Sequence, residues 1–366
     1  MGAKVRVVCA ISSASALMFA VPAQADLGLA PGQVTRLGPV AGTGTDTGDY
    51  GIGATDLCEF MEFPSRMLQV CGDSFAGQGV GFGNWYSPVA LHVDPESIAD
   101  RVRVTGVTGV TTPLLADRPP AGASQLPAGI VSINRANYML VTTTHDLKPD
   151  SSRLVKADAA QPNWPTVPKS RRDASYAGGA QSQISGYYDP IPTRDSPSGW
   201  VYIVADNFDR TSPVFLYRVP PADFTDRSRW QGWSAARGWG HPPTALWSDR
   251  AGELSARQID GKTVLSYFNA TTGNMEVRVA DDPTQLGAAP VTTVVVASPW
   301  PDAPEDLPDP RDNSLAQPYG GYISPASTLD ELRVFISQWH TAPADNAPYR
   351  VIQFAVNPLK PWAATG

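Results

Sequence analysis

Histidine and cysteine are scarce: the 366-residue chain contains four His and three Cys. Neither Cys58 nor Cys71 has a further Cys or His nearby at ligand spacing, which excludes a metal site built on them. Charge is sparse as well, at 17% of residues, and the net value of −7 leaves no cationic excess to hold nucleic acid or an anionic membrane. No stretch keeps a helical period for more than two turns, and the Ala/Glu/Lys/Leu runs of surface helices are few. Beyond the N-terminus no segment is apolar for long enough to span a bilayer, so the remaining chain is expected to be soluble. There is no G-x-S-x-G, no H-E-x-x-H and no phosphate-binding loop, which removes the common serine-hydrolase, zinc-protease and nucleotide signatures.

What is present begins with an export signal. Lys4 and Arg6 form a positive start, residues 7–21 are apolar or small, and Ala23-Gln24-Ala25 has the small-x-small form of a cleavage site. The apolar stretch is about 15 residues, short of the roughly 20 of a spanning helix. Residues 1–25 are therefore expected to be removed on secretion, with no membrane partner afterwards. Cys9 leaves with them. Cys58 and Cys71 remain as an even pair in an oxidising compartment, where a disulfide is expected. Its loop of about 14 residues is worth on the order of 3 kcal/mol in the chain-entropy model.

Thirty-five Pro and 32 Gly punctuate the sequence, and short runs of Val, Ile, Thr, Tyr and Phe fill the gaps. Residues 26–50 read as an extended leader. After it the runs fall into five groups: 55–60, 67–74 and 88–93; 129–133, 138–144 and 152–157; 180–186, 200–205 and 214–219; 253–259, 263–268 and 275–280; and 321–324, 332–339 and 349–356. Each group is a meander of three or four strands, the unit of a propeller blade. The expectation is an all-β chain whose residues 51–366 make a five-bladed β-propeller, with a two-sheet sandwich as the competitor.

The segment 53–93 carries the candidate chemistry. Two strands flank a turn at Phe63-Pro64-Ser65-Arg66. Centring that hairpin between Pro64 and Ser65 sets Cys58 opposite Cys71 and, on the same face, Asp56 opposite Asp73. A slip of one residue breaks both pairings. Opposed carboxylates push one pKa upward, and one protonated with one ionised carboxyl is what glycoside hydrolysis requires. The alternative is that both aspartates cap turns. Other polar residues stand where inner strands would aim them at a central pocket: Glu253 first, then Gln181, Gln183 and Tyr322. Glu253 reads equally as a solvated strand end. Asn84 and Trp85 in the glycine-rich loop form a candidate sugar-stacking edge, and Trp339 and His340 close a strand in the last group. Gly72-Asp73-Ser74 is similar to the nucleophile block of GDSL-type esterases. That family needs an Asp three residues before a His, and none of His92, His145, His241 or His340 has one.

At these residues the sequence resembles a family of secreted actinobacterial and mycobacteriophage proteins. That family was long catalogued as a domain of unknown function. Some of its members are endo-D-arabinanases, glycoside hydrolases of the mycobacterial wall. The resemblance rests on G-A-T-D-L at 53–57 with G-D-S at 72–74; on N-W-Y-S-P-V-A at 84–90; on G-E-L-S at 252–255 with Y-F-N at 267–269; and on G-G-Y-I-S-P-A-S-T-L-D-E-L at 320–332 with S-Q-W at 337–339. It implies a five-bladed propeller with its site in the central pocket, Asp56 and Asp73 as catalytic carboxylates, and Glu253 as a third pocket acid. The chain departs from the pattern at Cys58, in having Gly-Asp-Ser for Gly-Asp-Thr, and at His340.

The combined reading is a secreted, wall-associated, monomeric endo-acting hydrolase of D-arabinofuranosyl polymers. Its partner is the cell-wall polysaccharide, and it needs neither metal nor organic cofactor. The two aspartates' roles stay unassigned. The alternative is a non-catalytic propeller that binds wall glycans through aromatic side chains.

Overall fold

The computed structural model describes residues 27–300 and 309–359. The expected signal, residues 1–25, lies outside the described residues. Among those described, no helix is long and apolar enough to cross a membrane.

The fold is all-β and propeller-like. Five main sheets follow one another along the chain. The first holds Glu59–Phe63, Arg66–Cys71, Val89–Val93 and Val104–Thr108. The second holds Ser124–Ile133, Ala136–His145, Lys148–Lys156 and Arg172–Asp173. The third begins with Gln183–Asp189 and Trp200–Asp206, and the fourth with Ala251–Ile259 and Lys262–Asn269. The fifth contains Pro318–Ile323, Leu332–Trp339 and Tyr349–Val356. The opening strand of each sheet touches that of the next, and Pro318–Ile323 also touches Glu59–Phe63. These five opening strands therefore share one central region.

One expectation is corrected here. Part of the supposed leader, Val34–Gly42, is a strand. It pairs antiparallel with Tyr349–Val356 and completes the fifth sheet from the opposite end of the chain. Gly38 and Pro39 disguise it in the sequence. The register shifts between Arg36 and Gly38 and again between Pro39 and Ala41, so the breakers sit in irregularities that the ladder absorbs.

Apolar side chains from facing sheets make the core. Val264, Val277 and Val295 of the fourth sheet meet Ile336, Ile352 and Phe354 of the fifth. Val131, Leu140 and Leu154 of the second meet Val201, Ile203 and Tyr217 of the third. Alternation along each strand supplies these faces, and each pair of sheets buries one such layer.

The first hairpin keeps the expected register with an interruption. Glu59 pairs with Val70 and Phe60 with Gln69, while Thr55 pairs with Ser74 in a separate small sheet completed by Trp85–Tyr86. Between them Leu57 and Cys58 take positive φ, 63° and 65°. The Leu57 N–H turns away from the ladder and donates to Ser337 Oγ of the fifth sheet at 2.8 Å. The disulfide Cys58–Cys71 closes this kink, with a Cα separation of 3.9 Å.

Candidate active site

The kink delivers Asp56 to the central region. Its carboxyl is buried, and Oδ2 accepts the Tyr319 hydroxyl at 3.0 Å; the Tyr349 hydroxyl also bonds to the group. Oδ1 has no partner. Burial, helped by the charge of Asp73, pushes the Asp56 pKa up to about 8; the two tyrosines pull it back, and Glu253 adds a little upward. At neutral pH Asp56 is thus a protonated acid.

Asp73 lies between the strands Arg66–Cys71 and Ser74–Phe75 and is less enclosed. The Trp85 indole N–H donates to its Oδ1 at 2.8 Å, and Ser87 also bonds to it. Burial raises its pKa, and these two bonds oppose the rise. Two carboxyls in one place therefore differ in kind. One is dry and tied to phenols on a single oxygen, and the other accepts bonds from an indole N–H and from Ser87 that oppose the effect of burial.

Glu253 opens onto the same space. Arg210 donates to its Oε1 through Nε at 2.9 Å and also through Nη2, whereas Oε2 has no partner. Gly252 permits this pair, because a β-carbon there would stand 2.6 Å from Arg210 Cγ. The guanidinium lies over the rings of Phe268 (4.8 Å) and Tyr319 (5.4 Å). A cavity of about 330 Å³ joins these groups; its wall includes Asp56, Asp73, Arg210, Glu253, Tyr319 and Trp339. Leu57, Leu126, Leu147 and Phe208 add an apolar side.

The model of a family described as "Domain of unknown function (DUF4185)" matches residues 41–355. The protein belongs to the DUF4185 family. A Mycolicibacterium smegmatis relative, described as "Uncharacterized 35.9 kDa protein in asd 3'region", is 75% identical over 330 residues, covering 89% of this chain and 99% of its own. Among solved structures, a GH43_1 enzyme from Xanthomonas citri complexed with xylotriose superposes with a TM-score of 0.50 at 11% identity, over 87% of this chain and 90% of that one. The alpha-L-arabinofuranosidase PaAbf62A from Podospora anserina, in complex with cellotriose, gives 0.49 at 10% identity over 89% and 97%. At such identities the Xanthomonas likeness establishes the all-β fold of this DUF4185 chain and nothing further.

Of the residues singled out in the DUF4185 sequence, Asp56, Asp73, Glu253 and Trp339 share the cavity. Trp85 joins them through its bond to Asp73. Five others do not line it, and each has a reason. Tyr322 is buried behind the wall. The strand irregularity between Tyr319 and Gly321, with Gly320 at φ 56°, gives the cavity position to Tyr319 instead. Gln183 is buried opposite Asp206 in the third sheet, its Oε1 without a partner. Asn84 is exposed on its loop, where its backbone carbonyl accepts from the Ala76 N–H at 2.9 Å. His340 stacks on Trp300, ring centroids 3.8 Å apart at 14°, outside the cavity. Gln181 is also displaced: its side chain accepts from Arg227 in the crevice beside the third sheet. Ser74, the would-be esterase nucleophile, is fully buried with its hydroxyl 2.7 Å from Thr55 Oγ1.

The structure adds residues that no local pattern marked. Tyr319 and Tyr349 come from the fifth sheet, and Arg210 comes from a loop of the third. Asp206, at the end of Trp200–Asp206, is fully buried with both oxygens unpartnered, and burial followed by the nearby Glu253 charge holds its pKa well above the usual range.

Proposed function

We propose that this protein is a secreted glycoside hydrolase that cuts D-arabinofuranosyl linkages inside cell-wall arabinan. The observation that carries the reading is the opposition of a protonated, buried Asp56 to an N–H-stabilised Asp73 in one cavity. Asp56 gives its proton to the departing sugar oxygen as the glycosidic C–O bond breaks. Asp73 meets the cationic anomeric carbon from the other side, forming a glycosyl ester that water later hydrolyses while Asp56 takes back a proton. Carboxyls carried by the two arms of one hairpin favour this retaining course, for which a separation of about 5–5.5 Å is typical, over inversion.

The cavity's charge supports a neutral substrate. Asp73, Asp209 and Glu253 face it with Arg210 as the sole cation of its lining, and Arg210 is already engaged by Glu253. A uronate or other acidic sugar would meet repulsion. Leu57, Leu126 and Leu147 suit the apolar faces of a sugar. The five sheets are the blades of a propeller around this site, and the N-terminal signal delivers the chain to the wall.

The test is incubation of the mature protein with purified D-arabinan and chromatography of the products. Oligosaccharides released by the wild type, and by neither Asp56→Asn nor Asp73→Asn, are expected. Proton NMR of the first anomer formed checks retention. Binding of arabinan without cleavage would replace this reading with the glycan-binding one.

A further inference from the structure

Trp85 is the one exposed tryptophan among the described residues, at 47%, and it stands over the more open of the two carboxyls. Its position is not incidental. Trp85 pairs with Phe75 in the small sheet whose middle strand starts directly after Asp73, so the backbone ladder sets the indole against that carboxylate. The N–H is spent on Asp73 Oδ1 at 2.8 Å. Anchoring one edge of the ring fixes its plane and leaves a face open to solvent. An exposed, immobilised indole costs little entropy to use as a contact surface.

We propose that Trp85 couples substrate recognition to the chemistry: its N–H orients the Asp73 carboxylate, and its open face is the platform for the sugar ring beside the cleaved bond. This rests on the hydrolase reading above. The two roles use different parts of one side chain, and substitutions separate them. Trp85→Phe keeps a ring and removes the N–H. Trp85→Ala removes both. Among the bonds that hold Asp73 down against the effect of burial, that from Trp85 is the larger, ahead of Ser87. Its loss moves the acidic limb of the pH profile to higher pH.

The experiment has two arms. In ¹⁵N-labelled protein, the Trp85 indole resonance, assigned by its absence from Trp85→Phe, is expected to shift as Asp73 ionises and to lose that shift in Asp73→Asn. A resonance indifferent to Asp73 overturns the orienting role. In kinetics on D-arabinan, Trp85→Phe is expected to displace the acidic limb upward with KM nearly unchanged. Trp85→Ala adds a rise in KM of about tenfold, equivalent to about 1.4 kcal/mol of lost contact. An active wild type whose limb and KM are unaltered in both variants refutes the assignment to Trp85 alone. A wild type inactive on D-arabinan refutes the hydrolase reading, and the platform with it.

Discussion

The Oδ1 of Asp56 lies 2.4 Å from where a β-carbon on Gly72 would stand. Asp56 thus projects across the first hairpin into space that exists only because its neighbour has no side chain. The Gly72 N–H in turn donates to the Asp56 carbonyl at 3.0 Å, which ties the two strands together at the same point.

Gly72→Ala is therefore expected to act on catalysis more than on folding. The added methyl also meets Leu57 Cδ1 at 2.9 Å, so the carboxyl and the Leu57 side chain must both give way. A displacement near 1 Å costs about 100-fold in rate. Measured kcat on D-arabinan should fall by about that factor, with circular dichroism unchanged.

The basic limb of the pH–rate profile belongs to Asp56. Activity should decline as pH rises through about 8, where the acid loses its proton. Tyr319→Phe removes a bond that favours the ionised form, so this limb should move to still higher pH. A shift the other way would mean that the phenol does not hold the carboxyl as described.

Burial raises the carboxyl pKa of Asp56, Glu59 and Asp206 in the folded state. Their folded pKa values exceed the unfolded ones, so the stability they contribute is complete below the ordinary carboxyl range and is lost as pH rises through the folded values. Melting temperature should decrease from about pH 4, near the unfolded aspartate value, toward pH 8. Asp206→Asn, which removes one group that must release its proton, should flatten this decline.

Reduction of Cys58–Cys71 releases a cross-link spanning a sequence separation of 13. The folded state should lose on the order of 3 kcal/mol, read from denaturant midpoints with and without reductant. Because the staple lies next to the kink at Leu57 and Cys58, kcat should fall before unfolding is complete. Equal activity in the reduced, folded protein would detach the disulfide from the site.

How much of this was legible beforehand differs by feature. The register of the first hairpin was local: two cysteines, a four-residue turn and the period-two rule set Thr55 against Ser74 and Glu59 against Val70. Strand order was local where two-residue turns join neighbours, as between Glu59–Phe63 and Arg66–Cys71, Ser124–Ile133 and Ala136–His145, and Ala251–Ile259 and Lys262–Asn269. The same logic failed at Val34–Gly42, whose partner is the strand Tyr349–Val356 at the far end of the chain. Short-range patterning carries no record of such a pairing.

The sequence by itself determined the all-β character, the strand groups and the hairpin register that sets Thr55 opposite Ser74 and Glu59 opposite Val70. Composition, turn residues and alternation act within a few positions of themselves. Only the tertiary structure decided that Asp56 keeps its proton, since that follows from burial and the nearby Asp73 charge, which outweigh the opposing bonds from Tyr319 and Tyr349 of the fifth sheet. It also gave the fifth sheet's cavity position to Tyr319 and not Tyr322, and brought Arg210 from a loop of the third sheet to Glu253 in the fourth. Desolvation and Coulomb terms depend on what surrounds a group in space, and those surroundings are assembled from five separate parts of the chain.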